Sequence, residues 1–153
     1  MAMHRLDVEK KRYIRTRIIA GAINYKLLLV NKKFLIICED GTYREVCFMI
    51  KDYQHLTGVK SNLGNIDFFN NCYKRTISDG NIDNLQTHDW HTLKRKADRI
   101  EIIHRIFDSD PNLSLIIDNF PTRTKTFPIA VRNAYDKMCI GFISEQDRAR
   151  KSE

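Results

Sequence analysis

The chain has 153 residues, 42% hydrophobic and 29% charged, with a formal net charge of +7. That is one domain's length, with enough apolar side chains to bury an ordinary core. No apolar run reaches the roughly 20 residues of a membrane-spanning helix, and the N-terminus lacks the apolar stretch of a secretory leader.

Cys38, Cys47, Cys72 and Cys139 form no CxxC pair, and three of them sit in apolar strand patterns. Buried free thiols in a reducing cytoplasm are the expected reading, ahead of zinc or disulfides. Residues 1–33 carry nine Lys and Arg against Asp7 and Glu9, and the other 120 residues carry 17 charges of each sign. The whole excess therefore belongs to the N-terminal segment. Such a patch favours a polyanion such as nucleic acid, or is a solvated face that aids solubility.

Residues 7–30 are predicted to form one helix. Asp7 is placed to cap it, and Ile14, Ile18, Gly21, Tyr25 and Leu28 recur at helical spacing. Lys11, Arg12 and Arg15 share one face of it and are expected to be exposed. Phe34 to Cys38 and Val46 to Ile50 are two apolar runs around Asp40-Gly41, the sequence of a tight hairpin. Residues 51–58 then read as one helical turn closed by Gly58.

A helix is expected over 66–77 and a loop over 81–91. A further helix is expected over 93–107, with Thr92 as its N-cap and the cations Lys94, Arg95, Lys96 and Arg99 in its first turns. Those charges oppose the helix dipole, a cost that a bound anion would offset. Strands are expected over 113–117, 126–132 and 138–143, with Pro128 demanding an edge or a bulge. The tail, 144–153, is polar.

This order of elements predicts an α+β fold: a mainly antiparallel sheet of about five strands, with helices packed on one face. The basic helix of residues 1–33 is expected to be integral to a body spanning 34–143.

A strand ending in an apolar run, then an aromatic residue and His55-Leu56-Thr57-Gly58, resembles the phage-associated Barnase–EndoU–Colicin–RelE-like nuclease group. Residues 122–133 and Cys139-Ile140-Gly141-Phe142 resemble that group's closing strands. The resemblance covers roughly residues 34–143. It implies the α+β nuclease-like fold and a metal-independent ribonuclease of a toxin or phage-conflict type.

Cleavage of RNA by transesterification needs a group of near-neutral pKa, acting as general base on the 2′-OH or as general acid to the leaving 5′-oxygen. His55 is the catalytic candidate; the alternative is a structural histidine bonded to a backbone carbonyl near Gly58. Lys51 or Arg132 would stabilise the phosphate, and Thr124 would position substrate. His55 is expected in a solvent-reachable cleft with Lys51 or Thr57, facing residues 122–132. Lys11, Arg12, Arg15, Lys94, Arg95, Lys96, Arg123 and Lys125 are the candidate nucleic-acid contacts. The Thr122 to Thr126 cluster reads first as an ordinary polar loop and second as a phosphate-holding group.

Trp90 is expected to plug the core beneath its loop, and His104 to be a core histidine. His88, Asp89 and His91 lack the further ligands of a metal site. With no GxxxxGK[ST], GxGxxG or HExxH pattern, no metal or cofactor is expected. The partner expected is RNA, with a protein partner or antitoxin as a further possibility. The rival reading is a non-catalytic binding module, for example an inhibitor in phage–host conflict, acting through the basic N-terminal helix.

Overall fold

Asp7 starts the first helix, α1 (Val8–Leu28), by accepting a hydrogen bond from the Lys10 N–H at 2.8 Å. The expected stripe is the buried one: Ile14, Ile18, Gly21 and Tyr25 face inward, and only Leu28 at its end is exposed. The computed structural model describes residues 2–37, 41–107, 114–123, 125–133 and 135–143. It divides into two compact units, Met1–His104 and Arg105–Glu153.

In the first unit, α1 packs on α3 (Asn65–Tyr73) and on α4 (Trp90–Ile100), and α2 (Tyr53–Thr57) touches both α3 and α4. An aromatic cluster fills the centre. The rings of Tyr25 and Tyr53 are 5.0 Å apart, and Tyr53 meets Phe69 edge-on at 5.3 Å. Their polar ends are satisfied without reaching water. The Tyr53 hydroxyl donates to the Ile18 carbonyl at 2.6 Å, and that of Tyr25 to the Met49 carbonyl at 2.7 Å. Gly21 permits this crossing: a Cβ there would lie 2.7 Å from the Tyr53 hydroxyl and 3.0 Å from the Ile100 carbonyl oxygen.

Several segments differ from expectation: α3 ends at Tyr73 and not at 77, and the strand expected over 113–117 runs on to Pro121. The α4 helix begins three residues early, because Asp89 and not Thr92 caps it, accepting from the Thr92 N–H at 2.8 Å. It ends at Ile100 and gives way to a 3₁₀ turn, Ile103–Phe107. The expected loop contains a two-residue strand, β4 (Leu85–Gln86), paired with β1 (His4–Arg5). Two-residue strands carry no alternation for a sequence to display.

Antiparallel strands β2 (Lys33–Ile37) and β3 (Tyr43–Cys47) make the hairpin. Gly41 takes a φ of +85°, as a tight turn demands, while Asp40 lies outside the described residues. Ile36 and Val46 point inward; Leu35 and Ile37 are exposed.

The second unit is a three-stranded antiparallel sheet of β5 (Ser114–Pro121), β6 (Thr126–Asn133) and β7 (Met138–Phe142), with β6 central. The tail from residue 144 lies outside the described residues. Pro128 lies on the central strand, yet the ladder passes it by. The pairs Asp118–Ile129 and Phe120–Phe127 flank it, Asn119 opposite has a φ of +51°, and β7 pairs only from Ile129 onward. The irregularity that proline requires is thus supplied by its partner strand.

The fold is α+β, with antiparallel sheets. The single sheet of about five strands does not form among the described residues; seven strands pair in three small sheets. The reason lies in the connections between strands. After β3 the chain turns directly into helices, and those helices pack mainly on one another. The central strand β6 already has both neighbours. Nor is any helix among the described residues long and apolar enough to cross a membrane.

Candidate active site around the second helix

Strand β3 runs through Phe48 into a 3₁₀ turn, Ile50–Asp52, and then into α2. Two buried residues four apart, Tyr53 and Thr57, fasten this short helix to the core. The Thr57 hydroxyl donates to the Gln54 carbonyl at 2.7 Å and accepts from the Val59 N–H at 3.2 Å. Thr57 is therefore internal and does not line a solvent-reachable cleft. Gly58 closes the helix at φ +69°, its N–H shared between the carbonyls of Gln54 and His55. With 53 and 57 inward, His55 faces outward and is exposed, while Lys51 is half-buried. An exposed imidazole on a rigidly anchored turn can exchange protons with a substrate.

Gly58 brings in a second segment. A Cβ at Gly58 would lie 2.8 Å from Lys96 Cδ, 3.1 Å from His88 Cδ2 and 3.4 Å from His88 Nε2. The side chains of Lys96, on α4, and His88, just before its cap, therefore close over the end of the His55 helix. Burial holds the His88 pKa below its ordinary value, helped by the Lys96 charge and opposed by Asp89. Burial also lowers that of Lys96, with Arg95 adding to the effect. The sequence hid this pairing: His88 stands beside Trp90 and His91, and nothing in its spacing points to residue 58.

The α1 cations are unequal. Arg12 is exposed, but Lys11 and Arg15 are half-buried. The Lys11 ammonium donates to Asn84 Oδ1, and the Arg15 guanidinium pairs with Asp79 at 3.0 Å. Beside them, Tyr13 donates to Asp98, and Lys94 pairs with the same carboxylate at 3.3 Å. Arg17 lies over the Tyr13 ring at 4.9 Å and pairs with Glu101 at 3.1 Å.

Trp90 is half-buried, edge-on to Tyr13 at 5.7 Å, with Lys10 at 5.5 Å over its ring. It joins α4 to α1 where a plug beneath a loop was expected. Glu9, Arg12, Tyr13, Thr16 and Arg17 line an open depression of about 360 Å³. Arg95 is exposed at the surface of α4.

In the second unit, Thr122 and Lys125 are bonded to each other between β5 and β6, the Thr122 N–H donating to the Lys125 carbonyl at 2.8 Å. The Thr122 hydroxyl donates to the Lys125 carbonyl at 2.7 Å and accepts from the Lys125 N–H at 3.2 Å. Thr124 lies outside the described residues. Arg123 is exposed, Lys125 lies 4.7 Å over the Phe127 ring, and Arg132 is exposed on β6 opposite Cys139.

Cys72 is buried, and burial pushes its thiol up to about 12. Cys47 is half-buried and Cys139 exposed, so the cysteines are not uniformly interior as expected. Cys38 lies outside the described residues.

A family model for phage-Barnase-EndoU-ColicinE5/D-RelE like nuclease4 matches residues 17–152. The chain belongs to this nuclease-like family. No curated protein and no solved structure matches it. The match takes in the His55 turn, α4 and the whole second unit. It begins inside α1 and so leaves Lys11, Arg12 and Arg15 outside the stretch shared with this nuclease family.

Proposed function

We propose that this chain is a metal-independent endoribonuclease of a toxin or phage-conflict type, working in the cytoplasm and cleaving RNA by transesterification. One observation carries the reading: in a chain of a nuclease-like family, His55 stands exposed on a helical turn that Tyr53, Thr57 and Gly58 fix in place. In the proposed reaction His55 takes the proton from a ribose 2′-OH. The 2′-oxygen attacks the adjacent phosphorus, the bond to the 5′-oxygen breaks, and that oxygen is protonated as it leaves. The product ends in a 2′,3′-cyclic phosphate.

Lys51 or Arg132 stabilises the charge on the pentavalent phosphorus, and Thr124 positions the substrate. Arg12, Arg95 and Arg123 are exposed and Lys125 half-buried, which supports their contacting the RNA backbone. Lys94 and Lys96 join them from α4, and Lys11 and Arg15 from α1 if they exchange their internal partners for phosphates. The experiment is incubation with total RNA, with and without EDTA, beside His55→Ala. Cleavage that survives EDTA and falls by about 10²-fold or more in the variant supports the reading.

A second reading rests on the family match stopping short of Lys11, Arg12 and Arg15. In it the chain is a non-catalytic module, such as an inhibitor, that binds a nucleic acid or a nucleic-acid-handling complex through α1. Binding that depends on Arg12, with His55→Ala behaving as the unmodified chain, would support this instead. An antitoxin-like protein partner fits the first reading.

A further inference from the structure

Lys96 differs from the paired cations of α1 and α4. Lys94 has Asp98, Arg17 has Glu101, Arg15 has Asp79 and Lys11 has Asn84. Lys96 is half-buried and makes no hydrogen bond or ion pair to any described residue. The charged neighbour acting on it is another cation, Arg95.

Its stem is held against Gly58, and the His88 ring lies against the same glycine with Nε2 on that side. His88 itself makes no hydrogen bond among the described residues. Asp89 is the one acidic group acting on His88, and it is engaged as the cap of α4. The Lys96 stem and the His88 ring thus meet at Gly58, close enough for the Lys96 charge to act on the imidazole, and among the described residues neither side chain makes an ion pair. Three physical facts make this an anion's place. An ammonium withdrawn from water favours a counter-charge. Lysine acts as a point charge toward phosphate. An imidazole can both accept and donate a proton to a phosphate oxygen.

We infer that Lys96 and His88, closing together over Gly58, form a binding site for a phosphate group. The site abuts the helix that carries His55. The inference rests on the ribonuclease reading only in taking that phosphate to be one of the RNA backbone. It gives Lys96 a particular role among the α4 cations and recruits His88, which is otherwise a loop histidine.

The test tracks the His88 ring by NMR in the full chain. Inorganic phosphate is titrated against chloride at constant ionic strength. A bound phosphate should move the ring signals saturably and raise the His88 pKa by about 1 unit or more, because a neighbouring anion favours the imidazolium. Lys96→Met should abolish the response, whereas Lys96→Arg and the control Lys74→Met, at an exposed position beyond α3, should keep it.

Absence of a phosphate-specific change in the unmodified chain overturns the inference, and so does a response that survives Lys96→Met. Should Lys96→Met fail to fold, the unmodified chain and Lys96→Arg still decide: an unmoved His88 in either overturns it. The phosphate response is expected to persist in His55→Ala. RNA cleavage with an unmoved His88 would sink this site and leave the ribonuclease reading standing. A responsive His88 without cleavage would do the reverse.

Discussion

The α2 turn and the basic face of α1 lie in the same unit, and each bears cationic or titratable groups, but they use them differently. On α1, Lys11 and Arg15 reach across to Asn84 and Asp79 and hold a distant loop to the helix. Around α2, the anchoring is done by Tyr53, Thr57 and Gly58, which are buried or half-buried, and His55 is left outward-facing. Close by, Lys96 has no such partner. The lesson is that a count of charges does not measure charge available to a ligand. What matters is whether the fold has already supplied the counter-charge.

That contrast can be broken most forcefully at Gly58. Its φ of +69° disfavours any side chain by roughly 1–2 kcal/mol, and a Cβ would also press on Lys96 at 2.8 Å. Gly58→Ala is expected to lower stability by about 2 kcal/mol or more in a denaturant titration. It should also lower RNA cleavage, because the end of the His55 helix and its covering side chains must shift together.

A smaller loss is expected from Tyr53→Phe. It removes the hydroxyl that donates to the Ile18 carbonyl at 2.6 Å. Loss of one buried hydrogen bond costs about 1 kcal/mol, readable as a lower denaturation midpoint with an unchanged slope.

The least costly change sharpens the α1 side of the comparison. Asp79→Asn frees Arg15 from a pair whose side chains are 33% and 40% exposed. Such a solvent-screened pair contributes less than about 1 kcal/mol. Stability should hardly move, while single-stranded RNA binding should strengthen at low salt. The salt dependence should steepen by about 0.7 log units per log unit of salt if Arg15 gains one phosphate contact. Unaltered salt dependence would show that the released Arg15 makes no phosphate contact.

The sequence carried the helices and strands whose signals are local. Asp7 as a cap, the inward stripe of α1, the hairpin around Gly41 and the left-handed Gly58 each arise from a few neighbouring residues. Where a signal was not local, the reading failed or stopped short. Asn84 lies 73 positions from Lys11, so nothing near Lys11 announces that it is occupied.

Asp89 starts α4 by accepting from the Thr92 N–H, and the sequence reading missed it because His88, Trp90 and His91 look like loop residues. Division of the strands into separate sheets depends on which edges meet, and alternation within a strand does not encode that. His55 was expected to be reached by solvent and is exposed, but the burial of Thr57, expected beside it, was not foreseen. The closure of His88 and Lys96 over Gly58 was not legible either, since it requires α4 to pack on α2.

The central claim is that His55 moves a proton in RNA cleavage. The most direct measurement compares cleavage of total RNA by the unmodified chain and by His55→Ala, at equal concentration, with EDTA present and both proteins shown to be folded. His55 is exposed, so the substitution should leave stability nearly unchanged. The account expects the cleavage rate to fall by about 10²-fold or more. Equal cleavage by the two proteins, or none by either, would contradict it.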